Sequence, residues 1–164
     1  MIVVYTDGAA THNAVTGTIG GWAWWVEDAL CRFGNASPTT SNRMELQAVI
    51  DALRTLAPQA RDAGGIVIYS DSLYVINCFA ERWYIKWRKN EWKKANGLLV
   101  TEIKNRDLWE NLLALYEEYL AYSVPVSFRH IRGHGADKNA ASEHIEGNRM
   151  ADQLAVQAKK LRMI

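Results

Sequence analysis

Ile2-Val3-Val4-Tyr5-Thr6-Asp7-Gly8, at the start of a 164-residue chain, is a β-branched apolar run closed by an acid and a glycine. Such a run fits a buried strand, and Asp-Gly is turn chemistry expected to end it. Ile66-Val67-Ile68-Tyr69-Ser70-Asp71-Ser72 repeats the pattern, with the serines turning a strand into a helix. Between these two runs, Ile19–Glu27 and Ala29–Asn35 read as strands joined near Asp28, forming an antiparallel meander with the first. Thr39-Thr40-Ser41 offers hydroxyl caps for a helix reaching about Leu56, with Met44, Val49, Ala52, Leu53 and Leu56 mostly on one face. Pro58 and Gly64-Gly65 bracket its exit. A helix followed by a strand returning to the same sheet implies a parallel addition.

Farther along, residues 81–94 form an aromatic, basic helical segment, and Ala95–Val100 reads as a loop. Asn105 or Asp107 caps a helix carrying Leu108, Trp109, Leu112, Tyr116, Tyr119 and Leu120. Pro125–Ile131 is the fifth strand, Gly133–Gly147 a polar loop, and about Asn148 to Leu161 the last helix, with Ala151, Leu154, Ala155, Ala158 and Leu161 facing inward. The expected class is α/β: one domain over residues 1–164, with a mixed five-stranded sheet (three antiparallel strands plus two parallel) flanked by helices.

The composition, 49% hydrophobic and 23% charged, is that of a soluble globular protein. No apolar run approaches the ~20 residues that span a bilayer, and no secretory signal pattern is visible at the N-terminus. Cys31 and Cys78 lack metal-ligand or CxxC spacing. They read as free thiols in a reducing compartment, which places the protein in the cytoplasm. Net charge is +1, but Glu81 to Lys94 holds six basic residues against two acidic ones, a local +4 that is a candidate electrostatic footprint.

Four acids occupy related places. Asp7 and Asp71 are expected just past strand ends, and Glu45 and Asp152 in the first turns of helices. One such acid would be ordinary turn or dipole chemistry. Four, each beside an apolar element of the same sheet, point to a cluster at the sheet edge where α/β folds gather functional groups. Packed carboxylates repel and raise one another's pKa values unless a cation is bound. An all-oxygen ligand set favours Mg²⁺ or Mn²⁺ over zinc. A carboxylate shared by two ions ~4 Å apart is the arrangement that hydrolyses phosphodiesters.

Thr6-Asp7-Gly8-Ala9, Asn42-Arg43-Met44-Glu45-Leu46, Tyr69-Ser70-Asp71-Ser72, Gly133-His134-Gly135 and Asn148-Arg149-Met150-Ala151-Asp152 together resemble type 1 ribonuclease H, in motif order and in element order, over nearly the whole chain. The resemblance implies hydrolysis of the RNA strand of an RNA–DNA hybrid, giving 5′-phosphate and 3′-hydroxyl ends. It implies two Mg²⁺ per site, for which Mn²⁺ can substitute, held by Asp7, Glu45, Asp71 and Asp152. His134 matches the loop histidine that assists proton transfer or product release, for which a near-neutral pKa is suited. The segment of about 81–100 matches the family's basic protrusion. There Lys86, Arg88, Lys89, Lys93 and Lys94 are expected to neutralise phosphates, and Trp83 and Trp87 to pack the protrusion rather than stack on bases. The backbone at Gly8 and Ala9, with Asn13, Thr40, Asn42 and Asn105, is the expected set of further hybrid contacts, including those to 2′-hydroxyls and the DNA phosphate. No obligate protein partner is expected, so the molecule is a monomer.

Three departures from the family pattern stand out. The segment from Gly135 to Gly147 is long and adds Glu143, His144 and Glu146, so two histidines compete for the loop role, with His134 favoured because it directly follows the fifth strand. Leu73 replaces a frequent Gln, and Pro38 a frequent Arg, each weakening a nucleic-acid contact. Other readings are a resolvase- or integrase-type nuclease, a hybrid-binding module without catalysis, or a domain of a reverse transcriptase. The basic protrusion argues against the first and the four intact acids against the second.

Overall fold

The computed structural model describes residues 1–15, 17–133 and 139–163. In chain order the elements are β1 (Ile2–Asn13), β2 (Gly17–Trp25), β3 (Cys31–Ala36), α1 (Ser41–Thr55), α2 (Ala57–Asp62), β4 (Ile66–Ser70), α3 (Leu73–Ala80), α4 (Trp83–Lys89), β5 (Lys93–Asn96), β6 (Leu99–Glu102), α5 (Arg106–Ala121), β7 (Val126–His130) and α6 (Ser142–Leu161). The main sheet has the order β3-β2-β1-β4-β7, and β5 and β6 form a separate hairpin. β1 to β3 are antiparallel neighbours, while β4 and β7 add in parallel. The expected mixed five-stranded sheet is therefore present.

The helices cover both sheet faces, and two glycines show how. Gly20 and Gly21 are consecutive in β2, so their missing side chains point to opposite faces. A Cβ on Gly20 would lie 2.5 Å from Thr39 and 2.6 Å from Met44, at the start of α1. A Cβ on Gly21 would lie 2.1 Å from the Ala155 carbonyl of α6. Thus α1 and α6 pack on opposite sides of β2, each closer than any side chain would permit. Gly21→Ala is expected to cost about 1–3 kcal/mol, the usual range for overpacking, measured as a lower urea midpoint at unchanged slope.

The core lies mainly on the α1 side, where Leu46, Val49, Ile50 and Leu53 of α1 meet Ile66 and Ile68 of β4 and Trp109, Leu112 and Leu113 of α5. Thr40 caps α1, its hydroxyl accepting from the Arg43 amide at 3.2 Å.

Several boundaries differ from expectation. β1 does not stop at Asp7-Gly8: it runs to Asn13, paired with β2 from Tyr5 onward, while its ladder with β4 ends at Thr6↔Ser70. Gly8 serves close packing rather than a turn, since a Cβ there would lie 2.4 Å from the Glu45 amide of α1. Pro58 does not close α1 but sits in the first turn of α2, where the missing N–H costs nothing. The 95–100 loop is a hairpin, β5–β6. At the start of α5, Asn105 holds a left-handed conformation (φ 63°) and makes no side-chain cap; Asp107 instead receives the Arg43 guanidinium on both oxygens. Leu120 and Leu161 face solvent. The last helix begins at Ser142, not near Asn148. The polar 133–147 loop is thus helical in its final six residues, which places Asp152 in the third turn of α6.

Candidate active site

The parallel ladder between β1 and β4 ends at Thr6↔Ser70, and the next residue on each strand is an acid, Asp7 and Asp71. Equal register therefore sets the two carboxylates side by side. Glu45, in the second turn of α1, reaches them because Gly8 leaves room for the helix to touch the strand. Oxygens of Asp7, Glu45 and Asp71 all lie within 4.8 Å of one another. Asp152, on α6, stands near enough to Asp7 to help raise its pKa, but it is not among the three acids that meet within this distance. Of the four acids expected to converge, Asp7, Glu45 and Asp71 meet within 4.8 Å, brought together by β1, the end of β4 and α1, while Asp152 stands on α6 outside that group.

The electrostatics are those of a site built for a cation. Asp7 is 3% exposed and Glu45 8%. Burial first, then the charge of Asp71, push the Asp7 carboxyl up to about 8. Burial, followed by Asp7 and Asp71, holds Glu45 well above the usual carboxylate range. Among the described residues, one Glu45 oxygen, Oε2, is buried without a hydrogen-bond partner. An orphaned carboxylate oxygen among other carboxylates is costly, and a divalent cation would satisfy it. The residues therefore fit a hard cation with oxygen ligands.

Gly133 closes the rim: a Cβ there would lie 2.6 Å from an Asp71 carboxylate oxygen. His134 lies outside the described residues. His144, the competing histidine, is not in a loop but on the first turn of α6, bonded to Tyr5 and Tyr69.

The remaining expected contacts are distributed as follows. Gly8 and Ala9 lie on β1 beside Asp7, and exposed Asn42 lies in the first turn of α1. The Thr40 hydroxyl is engaged as the α1 cap. Asn13 accepts from the Val15 amide at 2.8 Å. Asn105 donates to the Tyr74 hydroxyl at 3.1 Å and accepts from Arg43 at 3.4 Å. The basic protrusion comprises α4 and the β5–β6 hairpin. An open groove of about 1010 Å³ between them is lined by Lys86, Lys89, Lys93, Lys94, Lys104 and Trp83. Arg88 turns instead to an ion pair with Glu117 of α5. Trp83 and Trp87 pack the protrusion, as expected: their rings are 6.0 Å apart, and Trp87 meets Trp92 at 5.7 Å and Trp109 at 5.3 Å. Leu73 is exposed at the start of α3, and Pro38 follows a cis peptide bond ahead of the Thr39-Thr40 turn.

Sequence reasoning missed Tyr5 and Tyr69 as neighbours of the site. Their signal was positional, each standing two residues before a metal-type acid.

The RNase H family model matches residues 1–160. A Ribonuclease H of Chlorobium luteolum is 38% identical over 160 residues, covering 96% of this chain and 94% of that protein. A Ribonuclease H of Caldicellulosiruptor saccharolyticus is 33% identical over 157 residues, covering 94% and 92%. The crystal structure of LC9-RNase H1, a type 1 RNase H with the type 2 active-site motif, is similar with a TM-score of 0.71 at 26% identity, covering 97% of this chain and 72% of that one. A sheet-edge cluster of acids, the fold that assembles it and kinship along nearly the full length agree: the chain belongs to the RNase H family.

Proposed function

We propose that this chain hydrolyses the RNA strand of RNA–DNA hybrids, leaving 5′-phosphate and 3′-hydroxyl ends, with two Mg²⁺ at the acidic cluster and Mn²⁺ as a substitute. The observation that carries the reading is the meeting of Asp7, Glu45 and Asp71 within 4.8 Å, with a buried Glu45 oxygen left unpartnered. The name shared by the relatives, Ribonuclease H, supports the substrate. When bound, a pair of Mg²⁺ ions supplies the charge that activates the attacking water and stabilises the leaving oxygen.

The chain's own residues do the rest. Asp7 and Asp71, each just past the last pair of the β1–β4 ladder, form the rigid side of the ligand set. Glu45 adds a nearly desolvated carboxylate, and Asp152 adds a partly buried one on the α6 side. The Gly8 and Ala9 backbone, beside Asp7, can approach the scissile strand closely because neither carries a large side chain. Asn13, Thr40, Asn42 and Asn105 offer amide and hydroxyl groups to 2′-hydroxyls and phosphates. Lys86, Lys89, Lys93 and Lys94 neutralise phosphates of the hybrid along the protrusion, with Arg88 bracing α4 against α5. His134, next in sequence to Gly133, is the group proposed for proton transfer or product release. The protein acts as a monomer of one domain.

One cleavage assay tests the reading: hybrid, duplex RNA and duplex DNA, each with Mg²⁺, Mn²⁺ or chelator. Hybrid cut only with metal, and at least ~100-fold faster than either duplex, is expected from a site that needs both strand types. Equal cutting of duplex DNA overturns it in favour of a resolvase-type nuclease. Hybrid binding without metal-dependent cutting leaves a binding module.

A further inference from the structure

His144 stands in the first turn of α6 and bridges two strands. Its Nδ1 lies 2.8 Å from the Tyr5 hydroxyl and its Nε2 3.2 Å from the Tyr69 hydroxyl. The imidazole also stacks on the Tyr69 ring, at 4.3 Å between centroids and 21° between planes. Tyr5 and Tyr69 are register partners across β1 and β4, with rings stacked at 5.3 Å. Three residues beyond His144, Gly147 lets α6 settle on the same tyrosine: a Cβ there would lie 2.3 Å from the Tyr5 ring.

The three elements joined by this one ring are those that carry three of the four acids. Tyr5 precedes Asp7 by two residues, hence on the same face of β1. Tyr69 precedes Asp71 by two residues. His144 precedes Asp152 by eight, roughly two helical turns or about 12 Å along α6. At the other end of α6, Lys159 donates to the Thr11 hydroxyl of β1 at 2.6 Å, but that contact is exposed. The His144 bridge is, by contrast, a half-buried polar tie between α6 and both strands. A neutral imidazole donates from one nitrogen and accepts at the other, and each tyrosine hydroxyl can play the complementary part. Both ring nitrogens are thereby satisfied, which fixes the ring in the plane and at the height where α6 must sit.

We infer that His144 is a positioning residue for the acidic cluster: by bridging the Tyr5 and Tyr69 hydroxyls it sets α6, and with it Asp152, against the end of the β1–β4 ladder, where Asp7 and Asp71 stand. It acts through its neighbours and touches no reacting atom. Its loss is expected to weaken metal binding and turnover while leaving hybrid binding, which the protrusion supplies, unchanged. The activity arm of the test rests on the function proposed above; the metal arm does not.

The test compares wild type with His144→Phe, which keeps a stacking ring but loses both hydrogen bonds, and His144→Gln, which restores one donor and one acceptor. Tyr69→Phe removes one hydroxyl independently and carries the comparison should His144→Phe fail to fold. Mn²⁺ affinity is read on each chelator-treated protein by electron paramagnetic resonance of free Mn²⁺, and kcat and KM on a hybrid with Mg²⁺. For His144→Phe, about tenfold weaker Mn²⁺ binding and about tenfold lower kcat are expected, as for loss of a group that orients metal ligands, with KM within about twofold and partial recovery in His144→Gln. Mn²⁺ affinity and kcat within about twofold of wild type in both His144→Phe and Tyr69→Phe would overturn the inference, whatever their melting temperatures, and leave His144 a packing group. Wild type that binds Mn²⁺ but cuts no hybrid would instead remove the proposed function, with the Mn²⁺ comparison still deciding the role of His144.

Discussion

Asp7→Asn is expected to lower hybrid cleavage by about a thousandfold or more while making the metal-free protein more heat-stable at pH 8. The loss follows from position. Asp7 lies at the centre of the acidic group, within 4.8 Å of both Glu45 and Asp71. Removing a ligand shared in this way forfeits several kcal/mol of charge stabilisation, and each ~1.4 kcal/mol is a factor of ten. The gain in stability follows from the sign of the pKa shift. In the folded protein the Asp7 carboxyl titrates at about 8, because burial and the Asp71 charge oppose ionisation, whereas in an unfolded chain it titrates near ~3.9. Between those values the unfolded state ionises and the folded state does not. The stability present below pH ~4 is therefore lost progressively as pH rises to about 8. Asparagine has nothing to ionise, so the difference between variant and wild type opens above pH ~4 and is largest near pH 8. Calorimetry in chelator should show Asp7→Asn melting about 2–6 °C above wild type at pH 8, the shift a kcal/mol or two gives in a chain this size, and level with it near pH 4. Added Mg²⁺ should raise the wild-type midpoint at pH 8 by mass action and leave the variant's unmoved. Cleavage within tenfold of wild type, or a variant less stable at pH 8, would remove Asp7 from the centre of the site.

That a positional pattern located this site has a physical reason. The buried strands are nearly continuous β-branched runs, and a parallel ladder ends where those runs end, so Asp7 and Asp71 declare themselves in sequence as the residues after Thr6 and Ser70. Glu45 was legible because its helix is capped by local chemistry at Thr40. What local patterns could not disclose were the close approaches. Asp7-Gly8 looks like a turn because Asp-Gly usually is one. Only the helix lying 2.4 Å from where a Cβ would stand shows Gly8 to be a packing position inside a twelve-residue strand. Ser142–Gly147 looks like loop because its residues are polar and it ends in glycine. It is instead the start of α6, where Tyr5 and Tyr69, far away in sequence, engage His144, and Tyr5 receives Gly147. The β5–β6 hairpin was equally hidden: all eight of its residues are exposed, so no alternation of buried and open positions marks it.

Reversing Lys86, Lys89 and Lys93 to glutamate together should raise KM for hybrid about 30-fold at low salt while changing kcat less than about threefold, since each lost phosphate contact weakens binding without touching the chemistry. The three lysines face one groove between α4 and the hairpin, alongside Lys94 and Lys104. Each substitution changes the charge by −2, so the formal net charge falls from +1 to −5. Arg88 is left out because it pairs with Glu117, and its reversal would also loosen α4 from α5. The protrusion itself should survive, because Trp87 holds it to Trp92 and Trp109, contacts that use no lysine. None of the four acids lies on it, so the bond-breaking step has no reason to slow. Salt separates this account from a fold defect. At 0.5 M salt the screening length is only about 4 Å, so wild-type KM should climb towards the variant's and the two should nearly meet, with the variant's slope of log KM against log salt smaller by about 2 to 3, near one for each contact removed. An unchanged KM at low salt, or a gap that persists at high salt, would take the protrusion out of hybrid binding and leave the groove without a nucleic-acid role.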